Sequence, residues 1–284
     1  MIEFTSKQSG NLLKIAFAET KINYNVLSRK LKEKQFLVDG ARVNSNIAIA
    51  AGQKVVIFAN APTFKTIFEN EGYLIVLKPR GILSTSEGIE EQSVEAALNA
   101  NMGANKFYAC HRLDANTEGL LCFAKTRRAL DDFKSAVKNS EIEKIYYAEV
   151  FGKVDFKEKT ITCYMQKNAN AAIVKIVGES AKNALKTTTK VEKVAQNGEI
   201  SLLKVTIYEG KTHQIRVALS SENLYIVGDD KYGDRSLNKK YKVQKQQLFA
   251  AQLKFKTGAK LNGLSCAVVG YTPQFKFNKL REEV

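Results

Sequence analysis

The segment 111–119, H-R-L-D-A-N-T-E-G, groups residue types that could do chemistry on a substrate. His111, Arg112 and Asp114 lie almost side by side in it, among residues that are compatible with turns. The apolar run at 120–124 follows directly and is typical of a buried strand. Loops anchored to a core strand are where a rigid scaffold holds reactive groups, so we expect this loop to carry the functional site.

A second polar cluster, G-K-T-H-Q-I-R-V, occupies 210–217. The pattern predicts a helix over 212–219, which places His213 and Arg216 at neighbouring turn positions. From the residues alone, Asp114 could be an aspartate that only stabilises its own turn, and Arg216 could be an arginine on a helix surface. Those alternatives stay open at this point.

Familiar catalytic signatures are missing from the chain. H-R-L-D is similar to the kinase catalytic loop, but the glycine-rich loop and D-F-G of kinases are missing. There is no G-x-S-x-G nucleophile elbow, P-loop or dinucleotide fingerprint. The sequence therefore gives no support to a kinase, a serine hydrolase of that type or a nucleotide-binding enzyme.

Composition bounds the class of protein and its partners. The 284 residues contain 44% hydrophobic and 26% charged residues, as expected for one large or two smaller globular domains. The formal net charge is +15, and an excess of this size favours a polyanionic partner, most often nucleic acid. The competing explanation is a proteome that is simply rich in lysine.

Targeting and redox signals predict a cytoplasmic protein. The sequence has no apolar run of membrane length, and its first residues, M-I-E-F-T-S-K, lack the pattern of a secretory signal. The cysteines form no C-x-x-C pair, so we expect reduced thiols rather than a disulfide framework or a zinc site. They are Cys110, Cys122, Cys163 and Cys266.

The first 60 residues predict a small separate unit. Apolar spacing indicates helices over 12–18 and 26–31. Two β-prone runs then flank Asp39-Gly40, a favoured hairpin turn, and a strand follows at 54–58. A short linker around Pro62 would end this unit, and the main domain would span 65–284.

This order of elements, with basic residues on the second helix, resembles an S4-type RNA-binding domain. The resemblance implies a small N-terminal α/β unit in which Arg29 and Lys30 contact RNA. Lys34-Gln35 stands where that family usually has a glycine. The alternative is a generic αβ cap whose lysines are only solvated.

The main domain is predicted to be α+β, because strands outnumber helices and do not alternate regularly with them. Thr126 is a candidate cap for a helix that contains Leu130, Phe133 and Val137. Apolar or alternating runs predict strands at 73–77, 145–150, 160–166, 171–177, 186–194, 201–208, 248–255 and 265–270. A short helix is expected over 93–98.

Several motifs occur in the order seen in the RluA-type pseudouridine synthases, and the chain resembles that family over roughly 65–255. The motifs are K-P-R-G-I-L at 78–83, H-R-L-D-A-N-T-E-G-L-L-C-F-A-K at 111–125, K-I-Y-Y-A-E-V at 144–150, G-K-T-H-Q-I-R-V at 210–217 and I-V-G-D-D-K-Y-G at 226–233. Several ordered motifs are far more specific than any single one.

The resemblance implies a pseudouridine synthase fold with a mixed, mainly antiparallel sheet. It implies an enzyme that converts uridine in RNA to pseudouridine without metal or cofactor. Asp114 falls on the catalytic aspartate, as nucleophile or base; Arg216 falls on the arginine that pairs with it, and Tyr146 on the tyrosine that stacks on the target uracil. Tyr147 is equally β-prone, but the K-x-Y register selects Tyr146.

The resemblance also implies a set of residues that bind the RNA. Arg112 resembles the residue that helps to displace the target base. His111 and His213 fit structural hydrogen-bonding roles better than acid–base roles. Ribosomal RNA is the expected partner rather than transfer RNA, and no obligate protein partner is implied. The expected RNA-binding residues of the main domain are His111, Arg112, Thr117, Lys144, His213 and Leu219.

The sequence departs from the family pattern at three positions. Glu118 stands where serine is usual, Lys211 replaces a common arginine, and Ala218 stands where histidine is frequent. We expect Glu118 to face away from the pocket, since a second carboxylate beside Asp114 would raise one of the two pKa values. The alternatives are a non-catalytic RNA-binding or assembly factor and, less favoured, a carbohydrate enzyme with Asp114 and Glu118 as paired acids.

Overall fold

The structure is a computed structural model that describes residues 2–32, 34–57, 64–85, 93–99, 106–168, 173–256, 261 and 263–278. The chain divides into two compact units, one of Met1–Thr63 with Thr85–Asn105 and one of Phe64–Ser84 with Lys106–Val284. The predicted main domain, 65–284, included residues 85–105, which this division assigns to the first unit. The predicted linker around Pro62 lies outside the described residues.

The N-terminal unit has the predicted helices and hairpin, with additional strands. Its hairpin turns at Asp39-Gly40, both at positive φ, as expected for a two-residue turn. One sheet has the order β1-β6-β3-β4, and β2 pairs with β5. The elements are β1 Ile2–Thr5, β2 Gly10–Asn11, α1 Leu12–Thr20, α2 Tyr24–Lys32, β3 Phe36–Val38, β4 Ala41–Val43, β5 Ala48–Ile49, β6 Lys54–Ile57 and α3 Val94–Asn99.

The second unit is organised around one large sheet. Along this sheet the strand order is β13-β12-β14-β15-β11-β16-β10-β8-β7, with β17 on β16 and β9 on β10. The strands are β7 Lys65–Glu69, β8 Tyr73–Lys78, β9 Tyr108–Ala109, β10 Glu118–Ala124, β11 Ile142–Phe151, β12 Glu158–Asn168, β13 Ile173–Val177, β14 Leu185–Asn197, β15 Ile200–Ile207, β16 Leu248–Phe255 and β17 Val268–Gly270. The helices are α4 Arg127–Lys138, α5 Gln214–Ser221 and α6 Arg235–Lys240.

The predicted fold class, α+β with a mainly antiparallel sheet, is confirmed. Among the described strands every pairing is antiparallel except that of β10 with β16. The helix at 126–138 begins as predicted, because the Thr126 side chain accepts a hydrogen bond from the Ala129 N–H. Strands β7 and β9 and helix α6 were not predicted; Asp234, which caps α6, was a signal that could have indicated that helix.

The core of this unit lies between α4 and one face of the sheet. Phe133 of α4 is fully buried beside Leu120 and Cys122 of β10 and Phe255 of β16. All seven residues of β10 except Glu118 are buried, so the loop that precedes β10 starts from a fixed base. The four cysteines, all of them among the described residues, form no disulfide.

Gly119 is required where β10 begins its parallel pairing with β16. Its φ is +127°, and a Cβ at this position would lie 2.2 Å from the carbonyl oxygen of Ala250. Gly152 has a comparable φ of +105° but has nothing within 4 Å of the same position. Of these two glycines, only Gly119 is demanded by steric space as well as by backbone conformation.

We expect Gly119→Ala to destabilise the protein by more than about 3 kcal/mol, because a backbone atom cannot yield as a side chain can. Gly152→Ala, the control, carries only the cost of a left-handed conformation, about 1–2 kcal/mol. Urea denaturation of both variants measures the difference. Equal losses would show that the close approach to Ala250 contributes nothing.

Candidate active site

The turn that carries Asp114 is held in place by backbone and side-chain hydrogen bonds. The Thr117 N–H donates to the Asp114 carbonyl at 3.0 Å, and Ser84 Oγ exchanges two hydrogen bonds with the backbone of Leu113. The ammonium of Lys78 donates to the carbonyls of Pro79, Ile82 and Ala115. The buried side chains of Ser84 and Lys78 therefore fix the backbone on either side of Asp114.

Lys78 is a buried charge that the sequence did not reveal. It is fully buried, and burial lowers its pKa to about 8 although the nearby Asp114 and Glu118 oppose the change. Its position at the end of an apolar strand, directly before Pro79, was the available signal. Its three carbonyl acceptors satisfy the ammonium in place of water.

Asp114 and Arg216 meet, although they are far apart in sequence. Arg216 Nη1 donates to Asp114 Oδ2 at 2.9 Å. The Arg216 side chain is 4% exposed and that of Asp114 is 20% exposed. The predicted pair thus lines one cavity, in which the guanidinium is buried and the carboxylate is partly exposed.

A second carboxylate orients the arginine. Arg216 Nε donates to Asp229 Oδ2 at 2.6 Å and Nη2 donates to Asp229 Oδ1 at 2.8 Å, the parallel two-point geometry that only a guanidinium offers. Nη2 also reaches Asp230 Oδ1 at 3.1 Å. Asp229 uses one edge of the guanidinium, which leaves Nη1 directed at Asp114.

Arg216 and Asp229 stabilise each other in their charged forms. Burial by itself would lower the pKa of Arg216, but hydrogen bonds and charge from Asp229 and Asp114 outweigh it and raise that pKa. Burial would raise the pKa of Asp229, yet Arg216 and the N–H groups of Tyr232 and Lys231 lower it overall. A buried pair of this kind persists only because each partner compensates the other.

Asp229 is the functional residue that sequence reasoning missed. The motif at 226–233 was recognised, but no role was given to either aspartate. Gly228, at φ +76°, lets the chain pass against the Lys245 backbone, where a Cβ would lie 2.1 Å from the carbonyl oxygen. A glycine directly before two acids was the signal that one of them is turned inward.

The segment before α5 brings His213 to the same carboxylate. His213 is left-handed, at φ +54°, and its Nε2 lies 3.8 Å from Asp114 Oδ2. Its Nδ1 lies 2.8 Å from the Tyr232 hydroxyl, which accepts a hydrogen bond from the Val174 N–H. Burial lowers the pKa of His213, so a neutral imidazole faces Asp114.

Tyr146 lines the cavity, whereas its neighbour Tyr147 lies in the core. β11 shifts its register against β16 between Ile145 and Tyr146, and successive strand residues point to opposite faces. Ile145 and Tyr147 pack in a core cluster with Phe249. Tyr146 instead lies in the cavity wall with Asp114, and burial raises its pKa.

Other predicted residues surround this cavity. Arg112 is exposed and Thr117 is buried, and both line the cavity together with His213. Glu118 forms an ion pair with Arg80, with Nε and Oε2 3.3 Å apart. Glu118 is not among the described residues that line the cavity, as its expected outward orientation requires.

His111 and Lys144 lie in an adjoining cleft of about 240 Å³. His111 Nε2 accepts a hydrogen bond from the Cys122 N–H at 3.2 Å, and burial, aided by Lys144, lowers its pKa to about 3. Lys144 is 3% exposed and donates to the carbonyls of Tyr208 and Glu209. Both side chains support the neighbouring loops.

The remaining predicted RNA contacts are Leu219 of the second unit and Arg29 and Lys30 of the N-terminal unit. Leu219 is completely buried in α5, so its side chain is part of the core and we do not retain it as an RNA contact. Arg29 and Lys30 belong to α2 of the N-terminal unit. Their expected contact with RNA remains a prediction.

The described residues give no indication of a metal site or a membrane segment. Among them, no group of three His, Cys, Asp or Glu side chains is placed to hold a metal ion. None of the helices in the described part of the chain combines the length and apolar character needed to cross a bilayer.

Comparison with known proteins identifies the family. A sequence model described as RNA pseudouridylate synthase matches residues 72–221. A protein of Mycoplasma pneumoniae named as an RNA pseudouridine synthase is 32% identical over 204 residues, which cover 67% of this chain and 62% of that protein. Ribosomal large subunit pseudouridine synthase C of Vibrio cholerae is 28% identical over 193 residues, 66% of this chain and 60% of that protein.

The chain therefore spans roughly three fifths of the length of these relatives, with coverage of 62% and 60%. Among solved structures, human RNA pseudouridylate synthase domain containing 1 shares the fold, with a TM-score of 0.62 and 22% identity. That alignment covers 76% of this chain and 86% of the human one.

Proposed function

The chain belongs to the RNA pseudouridylate synthase family, and from this membership we propose that it converts uridine in RNA to pseudouridine, with Asp114 as the reacting carboxylate. The observation that carries the proposal is the Arg216 side chain, which is bound on one edge by Asp229 and donates to Asp114 at 2.9 Å. A carboxylate that a buried guanidinium orients in a cavity suits attack on, or stabilisation of, a developing sugar cation.

The reaction is an isomerisation that needs no atom from outside the substrate. The bond between N1 of uracil and C1′ of ribose breaks, the base turns, and a bond forms between C5 and C1′. The C5 proton is lost and N1 ends protonated. Asp114 would act as nucleophile or as base in this sequence, and the hydrogen bond from Arg216 would hold it in one orientation.

Tyr146 supplies a surface for the displaced base. A uridine in a structured RNA must leave its stack to reach Asp114, which costs a few kcal/mol of unstacking. An aromatic ring in the wall of the same cavity recovers part of that cost. Arg112, exposed at the rim, would take the place that the base vacates.

We expect Tyr146→Leu to lower kcat/KM about 10- to 100-fold, the value of one base–aromatic stack. Tyr146→Phe keeps the ring and removes the hydroxyl, so its kcat/KM should stay within about threefold of wild type. Initial rates of pseudouridine formation over a range of RNA concentrations measure both. A loss as large in the Phe variant would show that the hydroxyl, and not the stack, matters.

Ribosomal RNA is the proposed substrate, and the supports are threefold. The Vibrio cholerae relative is named for the large ribosomal subunit, the net charge is +15, and the sequence of the N-terminal unit resembles an S4-like module. In this proposal Arg29 and Lys30 of that unit bind RNA, and Thr117, Lys144, His111 and His213 shape the catalytic cleft.

The test is the reaction of the purified protein with transcribed large-subunit ribosomal RNA, followed by mapping of the alkali-resistant carbodiimide adducts that mark pseudouridine. New pseudouridines with the wild type, and none with Asp114→Asn, would support the proposal. An RNA that is bound but never modified would instead identify a non-catalytic RNA-binding factor. Transcribed transfer RNA serves as the competing substrate.

A further inference from the structure

The second unit has a further cleft, distinct in its lining from the Asp114 cavity and from the adjoining cleft at His111. It has a volume of about 510 Å³, and we call it the basic cleft after its charged lining residues Arg80, Lys242, Lys245 and Lys276. Gln247, Gln274 and Phe275 complete much of its wall. No carboxylate is among the described residues that line it.

The lysines of the basic cleft are not neutralised by neighbouring acids. Within the described part of the chain no carboxylate forms an ion pair with Lys242, Lys245 or Lys276, although Arg80 pairs with Glu118. Lys276 Nζ donates to the carbonyls of Tyr241 and Lys242 at 3.3 Å each, which fixes its ammonium against the backbone of the segment that carries Lys242.

The sequence of this region is equally one-sided. Between Asp234 and Glu282 the chain contains no aspartate or glutamate. Like charges gathered on one concave surface repel one another in the absence of a ligand, and this cost is offset when an anion binds. The basic cleft therefore has the composition of a phosphate-binding surface.

One buried hydrogen bond joins the basic cleft to the Asp114 cavity. Gln246 Nε2 donates to Thr117 Oγ1 at 3.0 Å. Thr117 lines the Asp114 cavity, and Lys245 and Gln247, on either side of Gln246, line the basic cleft. This hydrogen bond couples the turn of the Asp114 cavity to the segment that lines the basic cleft.

We propose that the basic cleft binds backbone phosphates of the RNA strand next to the nucleotide that enters the Asp114 cavity. The identity of the ligand rests on the proposed function. Exposed lysines act on phosphate as point charges without a fixed two-point geometry. The basic cleft would therefore add affinity for the RNA and fix the position of its backbone, without distinguishing one base from another. It would hold the strand while the target nucleotide turns out.

The test compares the wild type with Lys242→Gln/Lys245→Gln/Lys276→Gln, using a fluorescent single-stranded oligouridylate and transcribed large-subunit ribosomal RNA. We expect Kd for both to rise about tenfold at roughly 150 mM salt, and the slope of log affinity against log salt to fall by about 0.7 for each phosphate that the variant no longer neutralises. With ribosomal RNA, KM should rise while kcat at saturation stays within about twofold, since Asp114 and Arg216 are untouched.

A matched variant removes the same charge elsewhere. Lys138, Lys153 and Lys157 are exposed lysines of this unit outside both concave surfaces, and their triple glutamine variant should leave Kd within about twofold. Equal losses in the two triple variants would reduce the effect to bulk charge and overturn the proposal, as would an unchanged Kd and salt slope.

The double variant Lys242→Gln/Lys245→Gln leaves the carbonyl contacts of Lys276 in place. It replaces the triple variant in the binding assays if the triple variant does not fold. It should give an intermediate Kd, and a wild-type Kd in a folded double variant would also overturn the proposal. The binding assays decide this inference even if no RNA is modified; a wild type that binds RNA through the basic cleft but forms no pseudouridine would refute the proposed function alone.

Discussion

Asp114→Asn should abolish pseudouridine formation, lowering kcat by about three orders of magnitude or more, as expected when the reacting group of a catalytic unit is removed. The amide keeps the shape of the carboxylate and can still accept the hydrogen bond from Arg216 Nη1, which spans 2.9 Å in the wild type. The fold and the Kd for RNA should therefore remain close to those of the wild type. Single-turnover assays with transcribed ribosomal RNA measure the loss.

The chain offers a matched control for this substitution. Asp230 also accepts a hydrogen bond from Arg216, at 3.1 Å, but its side chain is 59% exposed and lies on the far nitrogen of the guanidinium. Asp230→Asn makes the same chemical change at a solvated position, where it should cost less than about tenfold in kcat. If Asp114→Asn retained activity within about tenfold of wild type, Asp114 could not be the reacting group.

Short sequence patterns predicted the elements whose formation depends mainly on neighbouring residues. The hairpin at Asp39-Gly40, the helix capped by Thr126 and the long strands of the sheet follow from turn chemistry, capping and apolar runs. The ordered motifs added the pairing of Asp114 with Arg216, which no local pattern could give. That pairing depends on a parallel contact between β10 and β16 that closes a long stretch of chain.

What escaped prediction depends on tertiary packing. The K-x-Y register selected Tyr146 over Tyr147, but the physical basis of that choice, the face of β11 that is covered, could not be predicted, and a register shift against β16 lies at that point. The buried roles of Lys78 and Asp229 were missed because a charged residue is expected at the surface unless its partners are known. Their partners are backbone carbonyls for Lys78 and a distant guanidinium for Asp229.

Asp229→Asn should have the largest effect on stability of any single change in the active site. The substitution places an amide N–H₂ against the Nε–H or Nη2–H of Arg216, so donors face donors where two hydrogen bonds of 2.6 and 2.8 Å stood. Breaking a buried ion pair from one side costs about 3–5 kcal/mol, because the remaining charge is left uncompensated. Urea denaturation at neutral pH measures this loss in the free energy of unfolding.

Activity should fall with stability, since Asp229 holds the guanidinium that orients Asp114. We expect kcat to drop about 100-fold even at temperatures where the variant is folded, while the Kd for RNA changes little. Asp234→Asn is the control from the same loop: Asp234 caps α6 through a hydrogen bond from the Leu237 N–H, and asparagine caps equally well, so this variant should stay within about 0.5 kcal/mol of wild type.

The free energy of unfolding at acid pH distinguishes two causes for the instability of Asp229→Asn, the loss of an ion pair and a packing defect. The pKa of Asp229 is lowered in the folded protein, whereas in the unfolded chain it is about 3.9. The stabilisation that Asp229 contributes is therefore fully present above about pH 4 and is lost as the pH falls through the folded-state pKa. The stability gap between wild type and Asp229→Asn should narrow in that range, because protonation of Asp229 removes from the wild type what the variant already lacks. A gap that stays constant down to about pH 2 would mean that the carboxylate charge does not hold Arg216 in place.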